Sequence, residues 1–92
     1  MPWLIESFLN ENEDTKKAIE DHKQEIKDID AQAKAHIAKI NKDANERIED
    51  DPDKKKIINT VRRAKITAVN KKAEVIKNKH REAINNLEKN EE

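Results

Sequence analysis

The sequence predicts an all-α fold: an antiparallel hairpin of two long helices with a short N-terminal helix, three-helix-bundle-like in outline. Three observations carry that prediction. The 92 residues contain no glycine and only two prolines, so few positions oblige a helix to stop. The apolar side chains recur at helical spacing along narrow stripes. Composition supplies the third: 43% of residues are charged and 34% hydrophobic, where an ordinary globular domain carries roughly 25% and 45–50%. So little apolar material cannot fill a sizeable compact core, and helices zipped along a stripe are the economical alternative. Leu, Ile, Val and Phe together number 19, close to the roughly 20% below which strongly charged chains tend to be disordered. A net charge of zero argues for folding.

The chain reads as one helical domain, 1–92. Its first element is a short helix over 2–12, with Pro2 in the first turn, where a missing N–H costs nothing. That segment holds Trp3, Leu4, Ile5, Phe8 and Leu9, the densest apolar cluster in the sequence, with the only Trp and the only Phe. The polar run from Asn10 to Thr15 either breaks the chain, with Asp14 capping a new helix, or is a polar stretch of a continuous one.

The second element, 14–50, carries Ile26, Ile29, Ala33, Ile37, Ile40, Ala44 and Ile48. Their steps of 3, 4, 4, 3, 4 and 4 make an 11-residue repeat of about 3.67 residues per turn, which stays nearly straight or winds slightly to the right. Asp50-Asp51-Pro52-Asp53 then marks a turn at 51–53, because a residue before proline avoids the helical conformation. Asp51 or Asp53 is placed to cap the helix that follows. In that helix, 54–90, Ile58, Val69 and His80 are 11 apart, as are Lys65, Ile76 and Leu87, with Ala73 and Ile84 alongside. The pattern Ile-x-x-Ile/Val-x-x-x-Ala recurs at Ile26-Ile29-Ala33, Ile37-Ile40-Ala44 and Ile66-Val69-Ala73, which suggests a repeat-built protein whose helices approach closely at alanine.

Charge divides between the long helices. Residues 1–50 carry 8 Lys/Arg against 13 Asp/Glu, a net of −5, and residues 51–92 carry 12 against 7, a net of +5. An acidic helix folded back on a basic one gains long-range attraction that selects which faces meet, although each exposed pair is worth only about 0–1 kcal/mol. Folding at Pro52 brings Leu87 near residue 16 and leaves the first dozen residues beyond the hairpin. The Trp3 to Leu9 cluster needs cover there: it folds back as a third helix on the open end, the preferred arrangement, or it overhangs and docks against a second copy.

Functional chemistry is sparse, and the sequence argues against an enzyme. His22 and His80 fall on the core stripes at one level of the hairpin, where two imidazoles and a carboxylate such as Glu25 or Asp21 could take a zinc ion. Structural and catalytic zinc sites use three or four protein ligands at set spacing, and no such set is encoded, so neither metal nor cofactor is expected. Two boundary histidines remain, and protonating both below about pH 6.5 should loosen that end. Segment 54–81 holds 11 Lys/Arg against the single acid Glu74. It lacks aromatic side chains to stack on bases, and the acidic helix competes for its charge, so nucleic acid is not favoured as a partner. Neighbouring acids such as Glu13-Asp14, Glu20-Asp21 and Asp50-Asp51 point in different directions on a helix and cannot share acid/base work. The aspartates at the turn lack the glycine and terminal glutamate of a calcium loop. With no glycine there is no phosphate-cradling loop, and with one serine and no cysteine there is no nucleophilic triad, so no small-molecule substrate is expected. No run of about 18 apolar residues could span a membrane, and Met1-Pro2-Trp3 does not begin a signal peptide.

From Ala33 to Leu87 the chain resembles the tandem helical repeats of unknown function in cell-wall-anchored adhesins of staphylococci and related Gram-positive bacteria. The points of likeness are Ala44-x-x-x-Ile48, the Asp50-Asp51-Pro52-Asp53 turn followed by lysines, and Asn70-Lys71-Lys72-Ala73-Glu74-Val75 followed by Ala83-Ile84-Asn85. The family is richer in alanine, has threonine and acidic residues after the turn and often a glycine in the last helix; here Lys54-Lys55-Lys56 follows the turn, and Trp3 to Leu9 has no counterpart. The resemblance implies a stalk or spacer that projects a binding region from the cell surface, with localisation leaning to the surface or secreted. The expected function is therefore a structural helical spacer or repeat module of a larger protein. The alternative is a protein-interaction or dimerisation module anchored by Trp3, Leu4, Ile5, Phe8 and Leu9.

Overall fold

In a computed structural model, which describes residues 2–91 and the side chains of residues 13–89, the chain is all-helical. Helix α1 spans Pro2–Asp50, a single 3-10 turn covers Pro52–Lys54, and helix α2 spans Lys55–Glu91. The molecule is a rod of 77 × 17 × 10 Å. At 1.5 Å per residue the 49 residues of α1 account for nearly all of that length, about 74 Å.

Elongation shows in two quantities. The radius of gyration is 21.4 Å, where a compact domain of this size would have about 12 Å. The accessible surface is 7603 Å², against about 5500 Å² for a compact protein of the same mass. Much less apolar surface is removed from water than in a globule, as the composition requires.

The helices meet along the stripes. In α1 the less exposed side chains are Thr15, Ala18, Ile19, His22, Ile26, Ile29, Ala33, Ile37, Ile40, Asn41, Ala44 and Ile48. All three copies of the Ile-x-x-Ile/Val-x-x-x-Ala pattern lie in the interface, with Ala44 and Ala73 among its most buried residues at 6% and 9% exposure. Alanine is buried there because it lets two backbones approach closely, and the flanking isoleucines fill the space on either side. In α2 the 11-residue spacing is less regular. Lys65 is exposed, and Arg62 and Ile66 take the interface positions around it. A lysine can lay its stem along an apolar boundary, but its ammonium needs water, so a spacing that runs through Lys65 loses that member.

Two further sequence expectations are corrected. The short helix expected over 2–12 is not an element of its own, because α1 passes through Asn10 to Thr15 without a break. Asparagine and aspartate weaken a helix by at most about 0.7 kcal/mol each, and no glycine or proline stands between Trp3 and Asp51 to add a stop. The result is two helices in a rod rather than a three-helix bundle. At the turn, Asp51 holds φ −143° and ψ 82° and makes no side-chain capping hydrogen bond. Its Oδ2 lies 3.7 Å from Lys54 Nζ. Backbone groups close the turn instead: Asp51 N–H donates to the Arg47 carbonyl at 2.9 Å and Lys54 N–H to the Asp51 carbonyl at 3.1 Å. Asp53 lies in the first turn of the 3-10 segment, where its charge suits the helix dipole.

Candidate functional site

Side chains from α1 and α2 touch in reversed order along the rod. Nearest the turn, Arg62 Nη1 donates to Asn45 Oδ1 at 3.3 Å. Further out, Lys77 Nζ donates to Asp30 Oδ1 at 2.8 Å. Beyond that, the Nδ1 atoms of His22 and His80 lie 2.8 Å apart, and His80 Nε2 lies 3.0 Å from Glu25 Oε2.

The histidine cluster is built by simple spacing. His22 and Glu25 are three residues apart on α1, so they share a face, while Asp21 points elsewhere on the same turn. His80 reaches them from the stripe of α2. The two rings are tilted by 46° with centroids 5.1 Å apart. His80 is 21% and Glu25 55% exposed, which places the group at the boundary between the stripe and water. Ligand atoms of His22, Glu25 and His80 all fall within 4.8 Å of one another, close enough that the group could hold a metal ion. The register places His22 and His80 at one level and offers Glu25 as one of two candidate carboxylates; that the two rings meet is what the structure adds.

A second polar group went unread in the sequence. Lys77, 15% exposed, bridges Asp30 of α1 and Glu74 of its own helix, at 2.8 and 3.3 Å. Arg81 Nη1 donates to Glu74 Oε1 at 2.8 Å and to Asn78 Oδ1 at 2.7 Å. The hydrogen bond from Lys77 holds the Asp30 carboxyl below its ordinary range, and the one from Arg81, followed by Lys77, does the same for Glu74. The same contacts, with Asp30 first, raise the Lys77 ammonium above its ordinary value. The signal that could have found this group is the level at which Asp30 and Lys77 face one another once Pro52 is taken as the fold point. These contacts also occupy part of the basic segment 54–81, since Lys54, Arg62, Lys77 and Arg81 all engage acid or amide groups of the chain itself.

The expected anchors Trp3, Leu4, Ile5, Phe8 and Leu9 lie outside the residues whose side chains are described. Elsewhere on the surface, Ile57, Val61 and Val75 of α2 are 66%, 44% and 52% exposed. Ile57 and Val75 are five helical turns apart and Val61 is one turn beyond Ile57, so the three lie close to one line along α2, of which Ile57 and Val61 also border the groove near the turn. Two open grooves follow the junction of the helices. One runs past Ile29, Ala33, Ile40, Val69 and Ile76, and the other lies near the turn between Ala44, Arg47 and Ile58. Among the described residues no buried side-chain polar atom lacks a partner, and no helix is long and apolar enough to cross a membrane. Compared with known protein families, curated proteins and solved structures, the chain matches none.

Proposed function

We infer that the chain is a structural helical spacer, an antiparallel hairpin that serves as a repeat module of a larger, cell-surface protein. The observation that supports this most is shape: a 77 Å rod only 17 and 10 Å across. Such a body separates its two ends efficiently, and the grooves among the described residues are open to water. The recurring Ile-x-x-Ile/Val-x-x-x-Ala unit, a stripe of 11-residue period and the opposite charges of the two halves fit a module whose helices zip on one another. The resemblance to adhesin stalk repeats points to the cell surface and to a role in holding an adhesive region away from it.

A second reading, a protein-interaction or dimerisation module, draws support from the line of Ile57, Val61 and Val75 and from the length of α1, 49 residues against 37 in α2. In that reading Trp3, Leu4, Ile5, Phe8 and Leu9 anchor a partner helix. Light scattering after size exclusion separates the two. A spacer keeps a mass near 10.7 kDa over a hundredfold range of concentration, and Trp3→Ala with Phe8→Ala leaves that mass unchanged. A mass that doubles with concentration, and returns to the monomer in the double variant, overturns the spacer in favour of the dimerisation module.

A further inference from the structure

We propose that His22 and His80 form a binding site for a divalent transition-metal ion of the zinc class, with Glu25 as the residue that orients His80. Two imidazole Nδ1 atoms 2.8 Å apart can share a hydrogen bond only when one carries a proton and the other offers a lone pair. Glu25 decides which. Its Oε2, 3.0 Å from His80 Nε2, accepts a hydrogen bond from that nitrogen, so the proton of neutral His80 resides on Nε2 and its Nδ1 lone pair faces His22. His22 then needs only to carry its proton on Nε2 instead of Nδ1 for both Nδ1 lone pairs to face the gap between the rings.

A metal ion takes the place of that shared proton. Two imidazole nitrogens bound at about 2.0–2.1 Å, at angles between a right angle and the tetrahedral one, stand about 2.8–3.4 Å apart. The 2.8 Å separation lies at the near edge of that range, so the rings need to part by no more than about half an ångström and to turn until both lone pairs aim at an ion beside the line that joins them. The carboxylate–imidazole–metal order, with Glu25 behind His80, is the arrangement that fixes ring orientation and raises ligand basicity in metal sites. Glu25 and the bound nitrogen lie on opposite edges of the same ring, which is why Glu25 positions His80 and water completes the coordination. Nitrogen ligands select zinc, nickel or copper ions over magnesium or calcium, which prefer oxygen. Because one ligand comes from each helix, the ion cross-links α1 to α2 far from the turn.

The test is calorimetric titration of the full chain with zinc chloride at pH 7.5, with magnesium chloride as the comparison. One zinc ion per chain is expected, with no uptake of magnesium. His22→Ala and His80→Ala should each weaken binding at least tenfold, while His36→Ala, an exposed histidine elsewhere on α1, leaves it unchanged. Glu25→Ala should weaken it about tenfold, and Glu25→Gln, which still accepts a hydrogen bond, should recover part of the loss. Because a variant can also loosen the helices, the wild-type chain is followed by NMR during the same titration. The ring protons of His22 and His80 should shift together and saturate at one equivalent, with those of His36 unmoved. Absence of zinc uptake at millimolar concentration overturns the proposal, as does binding that survives both alanine substitutions or shifts all three histidines alike.

Discussion

The two ends of the rod are held in different ways. Next to the turn the helices are joined by the chain itself and by close backbone approach: two backbone hydrogen bonds close the turn, Ala44 is 6% exposed, Arg62 donates to Asn45 at 3.3 Å, and Ile57 and Val61 remain largely exposed. Toward the open end the tether is some thirty residues away, and side-chain chemistry takes over. Ile19 is only 7% exposed and His22 and Glu25 meet His80, while Asp30 meets Lys77 nearer the middle of the rod. Connectivity explains the contrast. A short loop keeps neighbouring segments at high effective concentration, whereas helix ends far from it fray unless specific contacts hold them. Polar groups do this well at a thin interface, because they also fix register in a stripe where one isoleucine resembles the next.

The largest effect should come from the open end. Ile19→Ala removes the most buried large side chain there and should cost about 2 kcal/mol, the low end for isoleucine because the interface is thin. Urea unfolding followed by helix circular dichroism measures it, and amide exchange should quicken at residues 76–87 while those near the turn stay protected. Equal quickening at both ends would show that the rod melts as one unit. Near the turn, Ala44→Leu should cost about 1–2 kcal/mol by forcing the helices apart at their closest approach. A neutral result would mean that the groove beside Ala44 accepts the extra carbons.

Acid and alkali should act through the group of Asp30, Glu74 and Lys77 near the middle of the rod. Asp30 and Glu74 titrate below their unfolded values, so their contribution is present above the ordinary carboxylate range and is lost as pH falls through the depressed values. Lys77 titrates above its unfolded value, so its contribution is complete below that value and is lost as pH rises through the raised one. Melting temperature should therefore be flat from about pH 5 to pH 10 as far as this group is concerned and fall on both sides. Asp30→Asn should flatten the acid limb, and an acid limb of undiminished steepness in that variant would remove Asp30 from the account. The smallest effect belongs to the exposed line on α2, where Ile57→Gln should change stability by no more than about 0.5 kcal/mol. A larger loss would mean that this face is covered in solution.

Legibility in the sequence followed the strength of each physical signal. The all-helical character was readable, though not the merging of the expected short helix into α1, because a chain without glycine that alternates isoleucine and alanine at helical spacing has little else it can do. The three Ile-x-x-Ile/Val-x-x-x-Ala copies pointed to the residues that the structure places in the interface. The 11-residue spacing misled at Lys65, where a charged head outweighs a numerical period. The polar run Asn10 to Thr15 was weighed as a possible helix stop, yet it carries only modest propensity costs and no residue that forbids the helix. At the candidate site, His22, His80 and Glu25 could be brought together on paper by folding at Pro52. Folding at Pro52 brings Asp30 and Lys77 to similar levels, but 20 basic and 20 acidic residues offer many such pairs and the rotation of each helix chooses among them.

The central claim is that this chain is an elongated rod of two helices, and small-angle X-ray scattering coupled to size exclusion tests it most directly. At a mass of 10.7 kDa the account predicts a radius of gyration near 21.4 Å with a longest dimension close to the 77 Å of the rod. A value near 12 Å would mean a compact bundle, and one near 30 Å an unfolded chain; either would contradict it.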